Sequence, residues 1–303
     1  MVHVRALVRA AWGMSLCLIG HTGCASWREP GKPSPTAVSD TMPAGAGGEA
    51  MQGGAGGSGG RVDALPNAAP QEAWTGVVPC AQTPGFWPMG ARAAVSLTYD
   101  DAMTSPLRHA LPGLDSRGWK ATFYLTTRNL DADRWRPLAR SGHELASHSV
   151  THKSGITNAA MENEVLASLA TIRGLGVVQP KFSFAYPNGS PTGSDGPYQP
   201  MVLKHTLAAR GLDGRATKPS AKIDWGNVSS RILEAEDNVV GVIADTLAQN
   251  AWMTFVVHGI EDDAYLNIPK AKHDELLAVL DQQGKDVWVA PFITVADYIQ
   301  RCY

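Results

Sequence analysis

The sequence predicts an α/β fold, a distorted (β/α) barrel of about seven strands, and three observations carry that reading. Short apolar runs alternate with amphipathic stretches from about Phe86 to the C-terminus, the pattern of parallel strands joined by covering helices. The alternation recurs often enough to close a ring, although fewer than eight units are legible. Asp100-Asp101, His148 and His258 each directly follow an apolar run, and barrels of this kind carry their working polar residues at strand C-termini.

Taken in order, residues 93–98 (AAVSLT) form a buried strand that ends at Asp100-Asp101. A helix over 105–117 follows, and Gly118 stops it. Residues 120–126 (KATFYLT) are rich in β-branched and aromatic side chains, so they form the next strand. A helix over 134–141 leads to a short strand, 144–147, that runs into His148. The clearest helix is 158–173: Asn158 can cap it, Gly174 closes it, and Val165, Leu166, Leu169 and Ile172 share a face. A strand at 182–185, a helix near 200–210 and a strand near 212–216 come next. The last units are a helix at 239–249, the apolar strand 252–257, a helix at 270–282, a strand at 287–290 and a closing helix from about Thr294. No internal repeat is visible.

The stretch ahead of this domain has a different character. Residues 1–23 read as an export signal: Arg5 and Arg9 precede an apolar stretch at 10–19 that is too short to span a bilayer. It ends at His21-Thr22-Gly23-Cys24, which resembles the cleavage box of bacterial lipoproteins, with His21 where Leu is usual. The expectation is a lipoprotein of the bacterial envelope whose one membrane contact is a lipid on Cys24; otherwise the product is periplasmic or secreted. Residues 24–72 are dominated by Gly, Pro, Ala and Ser, with little to bury, and read as a flexible tether. A lead-in segment, 73–90, precedes the folded domain at 91–303. Cys80 and Cys302 flank that domain; in an oxidising compartment they either pair or stay as two free thiols. The formal charge of −2 and the absence of any basic run give no case for nucleic acid.

Adjacent carboxylates at a strand end can take different duties, one binding a cation and the other accepting a proton from its water. Read alone, Asp100-Asp101 could equally be an acidic turn capping the next helix. His148 and His152 stand four apart, which on a helical turn places both imidazoles on one face. Alone, such a pair is more often a surface feature. Combined with the upstream carboxylates it supplies two His and one Asp, three protein ligands with open positions, as in a catalytic zinc site. His258 is either a satisfied buried residue or a general acid on the same face.

Together TYDDA, HSVTH, FAYPNG and VVHG stand in the order and approximate spacing of the polysaccharide deacetylases, carbohydrate esterase family 4, which the chain resembles over residues 91–303. The resemblance implies that Asp100 is the catalytic base and His258 the general acid. It implies that Asp101, His148 and His152 hold one divalent metal, zinc by default, with cobalt, nickel or manganese as alternatives. Tyr186, Pro187 and Asn188 match the third motif, the Asn188 N–H standing where an oxyanion would be received, and Asp224-Trp225 match a supporting Asp–Trp pair. The implied partner is an acetylated polysaccharide or oligosaccharide: chitin-like, peptidoglycan or exopolysaccharide. O-deacetylation of acetylated xylan is the alternative chemistry, and a silent carbohydrate-binding protein the alternative class.

Two departures matter. Ala185 stands where many members carry an Arg that steadies the catalytic Asp, so Asp100 must be held some other way or the activity is altered. Ala221 stands where an Asp is usual, three residues before Asp224. Tyr99 for Phe and Ala102 for Gly are mild changes. His109, His143, His205 and His273 read as structural or surface residues.

Overall fold

In the computed structural model the described residues are 77–81, 87–263 and 266–303. The expected export signal, the Cys24 anchor, the tether and part of the lead-in segment lie outside them. Eight strands run parallel in one sheet: β1 (Ala93–Tyr99), β2 (Thr122–Leu125), β3 (Glu144–Ser147), β4 (Ser183–Ala185), β5 (Ala208–Arg210), β6 (Arg231–Ile232), β7 (Trp252–Val257) and β8 (Val287–Val289). Seven follow the order β5-β4-β3-β2-β1-β7-β6, and β8 pairs with the first half of β1. Residues 225–230 continue the curl beyond β5: Ala209 N–H donates to Trp225 O and Gly211 N–H to Val228 O, before Arg231–Ile232 pairs with β7. The result is the expected distorted barrel.

Strand alternation divides the interior from the outer core. Leu97, Phe123, Leu125, Leu145, Phe184, Ala209 and Phe255 join the large apolar cluster shared with the helices. Their neighbours Thr122, Tyr124, Glu144, Ala146, Ser183, Ala185 and Arg210 face the other way and are fully or almost fully buried. The interior of this barrel is therefore partly polar, and it is bonded within itself. A second cluster, with Trp87, Trp252, Trp288, Phe292 and Tyr298, fills the end where the strands begin.

The helices differ in detail from the sequence expectation. The stretch 105–117 splits into α1 (Ser105–His109) and α2 (Leu111–Asp115), each with Pro near its start, because Pro112 cannot extend a helix that begins at Ser105. The 134–141 stretch becomes a short α3 (Ala132–Trp135) followed by a 3-10 turn. Thr157, rather than Asn158, caps α4 (Asn158–Gly174): its hydroxyl accepts from Ala160 N–H. The expected helix at 200–210 ends early, as α5 (Gln199–Val202), and the expected strand at 212–216 lies instead at 208–210. The remaining helices, α6 (Val239–Ala248), α7 (Lys270–Gln283) and α8 (Phe292–Cys302), fall close to expectation.

Cys80 and Cys302 are disulfide-bonded, which decides between the two alternatives for the flanking cysteines. The bond ties the lead-in to α8, and Ala81 N–H donating to Tyr298 Oη and Arg301 donating to Val78 O secure the same contact.

Candidate metal centre

Asp100-Asp101 and His148 follow the ends of β1 and β3, and the backbone bends just beyond each strand. Asp100 N–H donates to Val257 O at 2.9 Å, holding the end of β1 beside the end of β7. Asp101 and Ala102 adopt φ of 67° and 55°. Around that left-handed turn both carboxylates face the same imidazole: Asp100 Oδ2 lies 3.7 Å and Asp101 Oδ1 3.6 Å from His148 Nε2. Thr126 Oγ1 pins the turn by donating to Asp101 O.

His148 leaves β3 fully buried, and its Nδ1–H donates to Ala185 O at 2.8 Å. That bond fixes the tautomer and presents the Nε2 lone pair. Burial holds the imidazole below its ordinary pKa against the pull of Asp100 and Asp101, which keeps it neutral and able to act as a ligand. His152 arrives by a tight non-helical loop, contrary to the helical turn expected from the spacing. Ser149 and His152 take φ of 66° and 56°, and His152 N–H donates to Ser149 Oγ. Glu164, from α4, holds this loop: its carboxylate accepts from Val150 N–H, Thr151 N–H and Thr151 Oγ1 at 2.7–2.9 Å. Sequence reasoning missed Glu164, because nothing near it in the sequence points to the loop it holds. Left-handed backbone at four non-glycine positions around one site is the kind of strain that persists where a site demands it.

The ligand atoms converge. His152 Nε2 lies 3.1 Å from His148 Nε2 and 3.4 Å from Asp101 Oδ1, and His148 Nε2 lies 3.6 Å from the same oxygen. Atoms bound at about 2.0–2.2 Å to a shared tetrahedral ion stand roughly 3.4 Å apart, so the set fits one divalent cation. Asp101, His148 and His152 form the one group of three or more such ligands among the described residues.

Asp100 is buried beside this set, and Arg210 holds it. Arg210 Nη2 donates to Asp100 Oδ2 at 2.5 Å, and both side chains are almost wholly enclosed. Burial alone would raise the Asp100 pKa. The Arg210 guanidinium, with His148 and His258 adding to it, outweighs that and keeps the carboxyl below the usual range. Asp100 Oδ1 has no hydrogen-bond partner. Arg210 is the residue the sequence reading lacked: it stands on β5 directly opposite Ala185 on β4.

His258, half-buried at the end of β7, lies close enough for its charge to bear on Asp100. Asn188, in the turn after Pro187, is exposed with φ 55°, and its Nδ2 donates to Ser154 Oγ beyond His152. The other matched residues are placed elsewhere. Tyr186 is buried, stacks on Tyr198 and donates its hydroxyl to Gly226 O. Asp224 is exposed and accepts from Gly226 N–H in its own turn. Trp225 is half-buried against the second apolar cluster, the one at the end where the strands begin.

Comparison with known proteins agrees with this geometry. Residues 90–195 match the family model described as polysaccharide deacetylase, a span that holds Asp100, Asp101, His148 and His152 but ends before Arg210 and His258. A solved structure from Pseudomonas aeruginosa PAO1, described as a probable polysaccharide deacetylase, is similar with a TM-score of 0.51 at 12% identity, over 71% of this chain and 93% of that one. A second, from Mycobacterium smegmatis and described with the same reserve, gives a TM-score of 0.50 at 17% identity, over 71% and 92% of the two chains. These likenesses establish the fold. A curated relative, a gellan lyase from Bacillus sp., is 24% identical over 247 residues, and this chain spans 10% of its length.

Proposed function

We propose that this chain, whose residues 90–195 match the polysaccharide deacetylase family model, is a metal-dependent hydrolase removing acetyl groups from N-acetylated sugars of a polysaccharide. One observation carries the reading. Beside three converging metal-ligand side chains, a buried carboxylate is held through one oxygen by Arg210 while its other oxygen is unpartnered.

Asp101, His148 and His152 would hold the ion, with zinc the default for a His₂Asp set. When bound, such an ion supplies Lewis acidity to an acyl oxygen and acidity to a water. The residues supply the rest. Asp100 accepts the proton of the attacking water on its free oxygen, and Arg210 keeps that carboxylate ionised and aimed. The Asn188 N–H donates to the developing oxyanion. His258 donates a proton to the departing amine, the step that an amide needs more than an ester does. Each proton-transfer group contributes roughly 10²–10⁴-fold in rate.

The test is acetate release from chitooligosaccharides, peptidoglycan fragments, poly-N-acetylglucosamine and acetyl-xylan. Release from an amino sugar supports the proposal; release from acetyl-xylan alone replaces it with an O-acetyl esterase, and silence from all four removes it. Export and lipidation at Cys24 belong to the same proposal, and the Cys80–Cys302 bond supports an oxidising destination. A Cys24→Ser variant that still fractionates with membranes would contradict the anchor.

A further inference from the structure

Arg210 carries five N–H donors, yet few are engaged. Nη2 bonds Asp100, Nη1 makes a long contact of 3.4 Å to Ser230 Oγ, and Nε is buried with no acceptor. Hydrogen bonds alone leave the plane of this guanidinium loosely defined. Its face, however, lies over the ring of Tyr124, with Cζ 4.8 Å from the centroid, well within cation–π range.

Tyr124 is itself fixed from below. Ser183 Oγ donates to Glu144 Oε1 at 2.6 Å, so it is left to accept from the Tyr124 hydroxyl at 2.9 Å. Glu144 accepts further from Thr122 Oγ1 and from Ile293 N–H in the first turn of α8. A continuous chain thus runs from the start of α8 through Glu144, Ser183 and Tyr124 to the face of Arg210. Ala146 and Ala185 pack against the Tyr124 ring. Their small size leaves room for the ring and the guanidinium in one interior layer.

The geometry points to Tyr124 as a positioning residue for the proposed deacetylation: its ring holds the Arg210 guanidinium in the plane from which Arg210 orients Asp100. Tyr124 supplies no ligand atom, although its ring lies tilted against the His148 imidazole with centroids 6.5 Å apart, and the role rests on the reading of Asp100 as the base. It follows that the π-density of residue 124, more than its hydroxyl, governs the aim of the base.

The test replaces Tyr124 with phenylalanine and then with mono-, di- and trifluorophenylalanine, a near-isosteric series that progressively weakens the ring's attraction for a cation. Two readouts are taken on the zinc-loaded protein. One is kcat and KM for acetate release, and the other is rotation of the Arg210 guanidinium about Cζ–Nε by ¹⁵N NMR. The expected result is a stepwise fall in kcat, about tenfold or more across the series, with KM and zinc affinity unchanged and guanidinium rotation quickening in step. Guanidinium rotation that ignores fluorination overturns the proposal, whatever the activity. So does a flat kcat in a protein that releases acetate. A protein that releases no acetate, yet whose guanidinium loosens with fluorination, loses the deacetylase reading while Tyr124 keeps its hold on Arg210.

Discussion

Ala185 and Arg210 stand opposite each other on adjacent parallel strands, and the guanidinium that meets Asp100 enters from Arg210. In the resemblance drawn from the motifs, an arginine at position 185 would do this work. Here the position opposite supplies it, and the small Ala185 leaves the space. Replacing Arg210 with Ala should lower kcat by at least about 10²-fold, since it leaves a buried carboxylate without its partner. Arg210→Lys should recover little, because an ammonium does not reproduce the planar fork. The double variant Ala185→Arg, Arg210→Ala should recover more than Arg210→Lys, and steady-state kinetics on the three checks the order.

The barrel and the three candidate ligands were legible because they rest on patterns that sequence carries directly. Apolar strands ending in Asp100-Asp101, His148 and His258 show in the order of residues. Arg210 was not legible for a local reason. Leu207-Ala208-Ala209-Arg210 is a run of strong helix formers, and it was read as the end of a helix when tertiary pairing with β4 makes it a strand. The loop from His148 to His152 was misread similarly: the four-residue spacing suits a helix, but two left-handed residues and the Glu164 carboxylate bring the imidazoles together instead. Tyr186 and Trp225 matched motif positions, but sequence alone does not show that Tyr186 is buried on Tyr198 or that Trp225 packs against the second apolar cluster.

The Cys80–Cys302 bond joins positions 222 residues apart, and so constrains nearly the whole described domain. In the chain-entropy account a loop of that length is worth on the order of 5 kcal/mol. Reduction, or Cys80→Ser, should lower the denaturation midpoint markedly while acetate release at 25 °C persists, because the bond lies at the α8 end rather than among the Asp and His residues. Chemical denaturation with and without reductant reads the difference.

His143 and His273 are buried, and burial pushes each imidazole down from 6.5 to about 4. In the unfolded chain both bind protons near pH 6.5, so below that value the unfolded state gains protons the folded state refuses. Stability is therefore complete above about pH 6.5 and is lost progressively toward pH 4, by on the order of 3 kcal/mol for each group. His273→Phe should flatten the decline by its share, although the Tyr99 hydroxyl loses its partner and overall stability falls. Urea midpoints measured from pH 7.5 to 4 test the slope.

In the proposed reading, Asp101, His148 and His152 hold the ion on which turnover depends. The most direct test is to strip the protein with chelator and titrate zinc back while measuring acetate release on the best substrate of the panel. Activity should vanish on stripping, return in proportion to added zinc and level off at one equivalent, with Asp101→Asn failing to return at the same concentrations. Turnover that survives thorough chelation, or that returns equally well in Asp101→Asn, would contradict it.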